Sequence, residues 1–412
     1  MSNMGRQKVY LAISLASRVG AGVVMLLFLA RALGPTDYGF VVTVLAYSQL
    51  IAMLTDFGFG VQALRDIGAE PHRAGAIISA CLRVKNILVA MASVLALTAL
   101  LVLPLRPETM LACVLLYASI ICLSYADLVL VTFRGIGGYG QEAYIAVAGA
   151  LLFAIVVGPT AVLVPQILPV SLALLLARLT YMAIALVCVS RNVKFENPVL
   201  GPAGEVWSFT KKSVGLALDA ILTTLSTQVD IIFVSALLGL EAVGIYQIAS
   251  RIAGYLLLPA QVFAGVYIPS LSAQHHAGQS GHDLERRMEL EFLVLGLLFG
   301  VLFAVVMPLL APVAFGQEFS APFEVWAAFG VFVALRFVAA SFGVALVARR
   351  GVRFRVLGQG LGVLIVAVGL PLFLPAFGLI AAPITLVGAT LATMVVYIIA
   401  LRTLRRPLVD GA

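Results

Sequence analysis

Apolar runs of about twenty residues, parted by short clusters of charge, glycine and proline, recur along the whole chain. Such runs are long enough to cross a bilayer as helices, and they lack the strict alternation of half-buried strands. The pattern predicts twelve spans, near residues 10–33, 40–61, 84–103, 110–133, 143–164 and 170–190, then 213–238, 245–271, 290–315, 323–348, 356–374 and 379–401. The longest polar interruption, Arg191 to Lys212, falls at mid-chain. It divides the chain into an N-terminal six-helix lobe (1–195), a linker (196–212), a C-terminal six-helix lobe (213–401) and a tail (402–412). The expected fold is all-α, a polytopic membrane protein with two six-helix lobes.

The first window follows Arg6 and Lys8 and ends in Ala30-Arg31-Ala32, which looks like a secretory cleavage site. Its apolar run from Val9 to Ala30 is longer than the ~7–15 residues of a signal-peptide core, so it reads as a first transmembrane helix. An internal repeat supports the division into halves. Leu33-Gly34 is followed by Gly39, and Leu238-Gly239 by Gly244, at an offset of 205 residues. Two six-span halves share one orientation, so they read as parallel repeats.

Composition narrows the class. Of 412 residues, 62% are hydrophobic and 11% charged, against about 25% charged in soluble domains. With the spans laid out, nothing comparable to a soluble domain of about 100 residues remains, which argues against an enzyme with extramembrane chemistry. The net charge of +7 concerns topology and anionic lipid before nucleic acid, and no nucleic-acid partner is expected. With the N-terminus inside, the inner segments hold Arg6, Lys8, Arg65, Arg73, Arg134, Arg191, Lys194, Lys211, Lys212, Arg286, Arg287, Arg349, Arg350, Arg353, Arg355, Arg402, Arg405 and Arg406, and the outer loops only Arg106. That bias places both termini in the cytoplasm. Cys81, Cys113, Cys122 and Cys188 lie in apolar stretches without Cys-x-x-Cys spacing and read as small core residues.

Two motifs yield to plainer readings. Gly135 to Gly140 fits G-x-G-x-x-G, but it follows an apolar helix with no strand nearby, so it predicts a tight turn rather than a dinucleotide site. His275, His276 and His282, with Asp283 and Glu285, match no metal spacing, and Ala273 to Glu289 reads as a solvated loop. No metal, catalytic constellation or cofactor is expected.

Ionisable residues inside spans carry more information, because each costs a few kcal/mol unless it meets protein or water. Arg18 lies about 12 Å into the first span, with Ser14 and Gly22 on its face. Arg251 lies within the eighth span, flanked one helical turn away by Gln247 and Tyr255. Arg336 is central in the tenth. Arg178, in the sixth, has three readings: snorkelling, interhelix pairing or function. Arg31, Arg83 and Lys85 fall near span ends and read as interfacial, and Asp56 and Asp127 as headgroup-level. The seventh span carries Asp219, Thr223, Ser226 and Asp230 on one helical stripe. It lines a pore or bonds neighbouring helices. Asp219 and Asp230 are the candidate coupling groups, Asp230 the better placed, its pair with Arg251 either a coupling element or a permanent structural one.

Leu33-Gly34-Pro35-Thr36-Asp37-Tyr38-Gly39-Phe40, then Thr55-Asp56-Phe57-Gly58-Phe59-Gly60 and Arg65, resemble the opening of Wzx-type oligosaccharide flippases, polysaccharide-biosynthesis membrane proteins of the multidrug/oligosaccharidyl-lipid/polysaccharide exporter superfamily. Val229-Asp230, Gly239, Val243-Gly244-Ile245-Tyr246, Arg251, Pro259 and Ile268-Pro269 are similar to its second half. The resemblance implies two lobes around a central cavity in the bacterial inner membrane, open alternately to each side. It also implies a polyprenyl-diphosphate-linked oligosaccharide as substrate, proton or sodium coupling, and a polysaccharide polymerase and glycosyltransferases as working partners. Arg18 and Arg251 occupy places comparable to cavity arginines of related lipid-carrier flippases, while a basic residue of the second helix has no counterpart. Arginine forks suit diphosphate oxygens.

The rival readings are a cation-coupled drug exporter of the same superfamily, a membrane-embedded polysaccharide polymerase or ligase, and a major-facilitator transporter. The deep residues Arg18, Arg178, Arg251 and Arg336 oppose Asp219 and Asp230, which favours an anionic substrate. The short outer loops lack the basic and catalytic residues of a polymerase, and Gln62 to Gly75 lacks the major-facilitator signature.

Overall fold

The computed structural model describes residues 3–195, 203–276, 282–349 and 351–405; within these, the side chains at 3–9, 11, 12, 15, 18, 203–220, 273, 275, 276 and 405 lie outside the description. The elements are α1 (Asn3–Asp56), α2 (Phe59–Ala69), α3 (Ala74–Val102), α4 (Pro107–Gly135), α5 (Tyr139–Leu163), α6 (Ile167–Asn192), α7 (Ala203–Leu238), α8 (Leu240–Leu256), α9 (Leu258–His276), α10 (His282–Phe315), α11 (Phe323–Ala348), α12 (Val352–Phe377) and α13 (Ala381–Arg405). Three short 3-10 turns complete the set, and no strand occurs among the described residues.

Ten helical stretches are long and apolar enough to cross a membrane. Two of them hold two expected spans each, Val19–Asp56 and Val352–Leu404, so the twelve-span reading holds. Exposed side chains such as Leu309 (72%) and Val313 (70%), one turn apart on α10, make that surface apolar enough to demand lipid.

The breaks fall where the repeat places them. Inside α1, Gly34 sits at φ 74, ψ 173, and Gly239, ahead of α8, at φ 89, ψ 177. That region is open essentially to glycine alone, so the Leu-Gly repeat marks one backbone device used twice. The second span of each half is also broken. Asp56 is followed by Phe57 (φ 40) and Gly58 (φ 72) before α2. α8 stops at Leu257, where Pro259 removes the N–H that would have reached the carbonyl of Tyr255.

Two compact units share the chain, Met1–Thr224 and Leu225–Ala412, the division falling inside α7. The expected linker lies outside the described residues at 196–202, and from Ala203 onward the chain is helical. In the first unit α1 packs on α5 and α4 on α6. Its cores gather Phe59, Ile67, Ile78 and Leu128 on one side and Phe133, Ile145, Tyr181 and Val189 on the other.

In the second unit α10 and α11 meet through glycine. A Cβ on Gly300 would stand 2.5 Å from the Gly330 carbonyl oxygen, and one on Gly330 2.5 Å from that of Gly300. Only backbones without side chains approach so closely, the packing that membrane helices use in place of a hydrophobic drive. Two aromatic groups line this seam, Phe292 with Phe337 and Phe303 with Trp326 and Phe329.

Among the described residues each unit has one buried glutamate at the end of its bundle. Glu142 on α5 (1% exposed) takes Arg134 of α4 in a two-pronged pair, Nη2 to Oε1 2.5 Å and Nε to Oε2 2.8 Å. Ser14 of α1 also donates to it. Glu285 on α10 (1% exposed) takes Arg349 of α11 at 2.6 and 2.7 Å. Both arginines close a helix whose final turn bonds five residues back, Gly138 N to Phe133 O and Gly351 N to Leu346 O. The G-x-G-x-x-G string is thus a turn between two helices, as expected. The solvated-loop reading of Ala273 to Glu289 is corrected, because α10 begins at His282 and seats Glu285 in the interior. His275 and His276 have side chains outside the described residues.

Candidate functional site

Arg251 lies about 17 Å along the stretch Leu240–Ser272, and its side chain is exposed. One turn earlier Gln247 is 1% exposed. With the Gln247 amide oxygen facing the guanidinium, it accepts from Nε at 2.6 Å and Nη2 at 3.3 Å. One turn later Tyr255, half-buried, lies within the electrostatic reach of Arg251. The structure therefore gathers Gln247, Arg251 and Tyr255 on one helical face, as the spacing required. Among the described residues no carboxylate forms an ion pair with Arg251. A neutral amide orients this guanidinium, while the Asp230 carboxylate acts on it only electrostatically and makes no direct contact, which leaves its donors open to an incoming oxyanion.

Asp230 on α7 is 5% exposed. Its Oδ2 accepts from the Tyr246 hydroxyl at 2.5 Å and its Oδ1 from the backbone N–H of Ile231 at 2.9 Å. The Tyr246 ring, fully buried, packs on Phe329 at 5.5 Å between centroids, which fixes the hydroxyl. The expected Asp230–Arg251 pair is not formed. Tyr246 on α8 takes the carboxylate instead, a partner that helix periodicity alone cannot name. Thr223 and Ser226 lie exposed on the same stripe. The side chains of Asp219 and Arg18 lie outside the described residues. Arg336, on α11, lies within the electrostatic reach of Tyr397 and Arg355.

In the first unit a charge cluster stands where the sequence reading placed interfacial groups. Lys85 is 0% exposed, and its Nζ donates to Asp56 Oδ1 and Ser124 Oγ, both at 2.5 Å. Ser124 donates in turn to Asp56 Oδ1 at 2.6 Å, and the Tyr125 ring lies 4.8 Å from the ammonium. The interfacial reading of Lys85 is corrected because α3 starts at Ala74, ten residues before the expected span, which carries Lys85 three turns into the bundle. Asp56, 41% exposed at its side chain, is that cation's carboxylate partner, and Asp127 adds to its field. Arg178 donates to Ser119 Oγ of α4 at 2.9 Å, the interhelix alternative of its three readings. Among the described residues no cluster of three histidine, cysteine or acidic side chains is arranged to hold a metal.

The fold and these intramembrane polar groups define a multi-pass membrane protein. A MATE family multidrug-resistance transporter of the MOP superfamily, in an outward-facing conformation, superposes with a TM-score of 0.65 at 17% identity, covering 97% of both chains. A MOP superfamily transporter from Pyrococcus furiosus Vc1 (DSM3638), described as having a binding pocket of reverse polarity, does so at 0.65 and 15%, covering 98% of this chain and 94% of that one. The lipid II flippase MurJ, in an inward closed conformation, reaches 0.71 at 10% identity, covering 96% and 87%. Residues 5–275 match the family of polysaccharide biosynthesis proteins, and the chain belongs to that family. No curated protein sequence matches it.

Proposed function

We propose that the protein flips a polyprenyl-diphosphate-linked oligosaccharide across the bacterial inner membrane by alternating access, with both termini in the cytoplasm. The observation that carries this reading is Arg251: an exposed guanidinium far from either end of a span, oriented by a buried neutral amide and in no ion pair with a carboxylate among the described residues. Membership in the polysaccharide biosynthesis family supports a sugar-bearing substrate, and the likeness to the lipid II flippase MurJ supports a lipid-linked one. A diphosphate entering a low-dielectric site needs several donors in a fixed plane, which Arg251 supplies and a lysine would not.

Arg18 joins Arg251 as a diphosphate contact, and Asp230 with its Tyr246 hydroxyl is the group through which a proton gradient acts. A polymerase and glycosyltransferases work beside the protein. The deciding experiment is a leaflet-resolved assay of lipid-linked oligosaccharide. Arg251→Ala abolishes translocation at normal membrane abundance, Arg251→Lys restores part of it, and full activity in Arg251→Ala refutes the assignment. Proton-gradient dependence that persists unchanged in an active Asp230→Asn variant removes Asp230 from the coupling step.

A further inference from the structure

The second unit contains another pair of cations, on α11 and α12, that form no ion pair with a carboxylate among the described residues. Tyr397 of α13 is held between two glycines. A Cβ on Gly358 of α12 would stand 2.6 Å from its ring, and one on Gly343 of α11 3.7 Å. The faces of α11 and α12 that meet this ring are therefore known. Arg336 precedes Gly343 by seven residues, two helical turns, and Arg355 precedes Gly358 by three, so each projects from the face that meets Tyr397. The two guanidiniums act electrostatically on each other and on the tyrosine.

The Tyr397 hydroxyl donates to the carbonyl of Arg355 at 3.4 Å, which ties α13 to the start of α12. Both arginines are exposed. Among the described residues neither has a carboxylate within ion-pair distance. The same face of α12 carries Gln359 one turn after Arg355, with an Oε1 that is buried without a hydrogen-bond partner. Arg336 lies twelve residues from the end of α11 and Arg355 three residues into α12. Their guanidiniums thus span from the helix ends toward the middle of the bundle.

Two like charges within electrostatic reach of one another repel, and among the described residues no carboxylate forms an ion pair with either. An anion of charge two with several oxygens offsets both, and a guanidinium fork binds such oxygens in pairs. We infer that Arg336, Arg355 and Tyr397 form a second oxyanion site, contained within the unit Leu225–Ala412, that takes the phosphate group of a lipid. Tyr397 is its positioning residue, since its hydroxyl is spent on the Arg355 carbonyl and its ring spaces the two helices. Two lipids carry this chemistry, a prenyl diphosphate and an ordinary anionic phospholipid. The site deepens the flippase reading only in the identity of the lipid.

The test uses the full chain in phosphatidylcholine nanodiscs, with farnesyl diphosphate as probe and binding read by titration. In an Arg251→Ala background binding persists, and adding Arg336→Gln with Arg355→Gln weakens it roughly 10- to 100-fold, the loss expected when two charge-assisted contacts go. Unchanged affinity in that triple variant overturns the site. If the double glutamine change unfolds the protein, Arg251→Ala with Arg355→Gln alone serves, Arg355 being exposed near a helix end, and roughly 10-fold weakening is then expected. Nanodiscs with added phosphatidylglycerol separate the two sources. Competition that depends on Arg336 and Arg355 identifies the phospholipid headgroup as occupant, and farnesyl diphosphate binding that phosphatidylglycerol leaves intact identifies the prenyl diphosphate. Binding is read without translocation, so a failed flipping assay leaves this result standing.

Discussion

Replacing Asp56 with asparagine strands a cation. Lys85 has no exposed surface, and its charge is offset by direct contact with one carboxylate at 2.5 Å and by the more distant Asp127, together with a serine hydroxyl and an aromatic face. Breaking a buried pair by removing one partner costs about 3–5 kcal/mol. Asp56 keeps 41% of its side chain exposed, so water reaches the rim of the site, and the expected loss is at the lower end, about 3 kcal/mol. The reverse change is milder. Lys85→Met leaves a half-exposed carboxylate that water can solvate, and about 1 kcal/mol is expected. Equilibrium unfolding of the purified protein in mixed micelles, followed by circular dichroism, measures both. The double variant Asp56→Asn/Lys85→Met should be more stable than Asp56→Asn alone, because the second change removes the stranded charge. Asp56→Asn within about 0.5 kcal/mol of wild type, or a double variant weaker than the single, would refute the pairing as a structural element.

Three further outcomes are expected. Gly300→Val drives a side chain into the Gly330 carbonyl and should lower stability by about 1–3 kcal/mol, while Gly360→Ala, with nothing within 4 Å, should change it little in the same unfolding titration. Gly34→Ala and Gly239→Ala each force a side chain into a region of backbone space open to glycine, at about 1–3 kcal/mol apiece, and equal losses by thermal unfolding would show that the two breaks are equivalent. Arg349→Gln removes the two-pronged partner of buried Glu285, so it should destabilise by about 3 kcal/mol, and Glu285→Gln in the same chain should recover much of that loss.

The span count was legible because bilayer thickness imposes a length that apolar runs report directly, and Phe323–Ala348 falls at the residues expected. The breaks at Gly34 and Gly239 were legible because one residue type tolerates that backbone. The charge partners were not. Helix starts are ambiguous where small and polar residues mix, so Ala74 to Arg83 read as loop and Lys85 seemed interfacial. Glu285 read as solvated for the same reason, since an acidic first turn looks alike in a loop and in a helix whose inner face is buried. Asp230 was found from its stripe, but its partner lies on the next helix, and choosing between Tyr246 and Arg251 depends on how α8 is rotated. That rotation is set by packing on Phe329, which spacing along a single helix does not encode.

The two halves repeat the same glycine break but fasten their buried glutamates differently. In the first, Glu142 is held across a turn by the helix just before its own; in the second, Glu285 is held by a helix that follows it, across a separation of 64 residues. A gene built from two copies of either half would keep every turn, yet it would reproduce one fastening twice and lose the other. Each acid travels with its own arginine, since both members of either pair lie in one half, so an exchange of whole halves is harmless and only a crossover that parts a buried glutamate from its arginine would carry the cost of a broken buried pair.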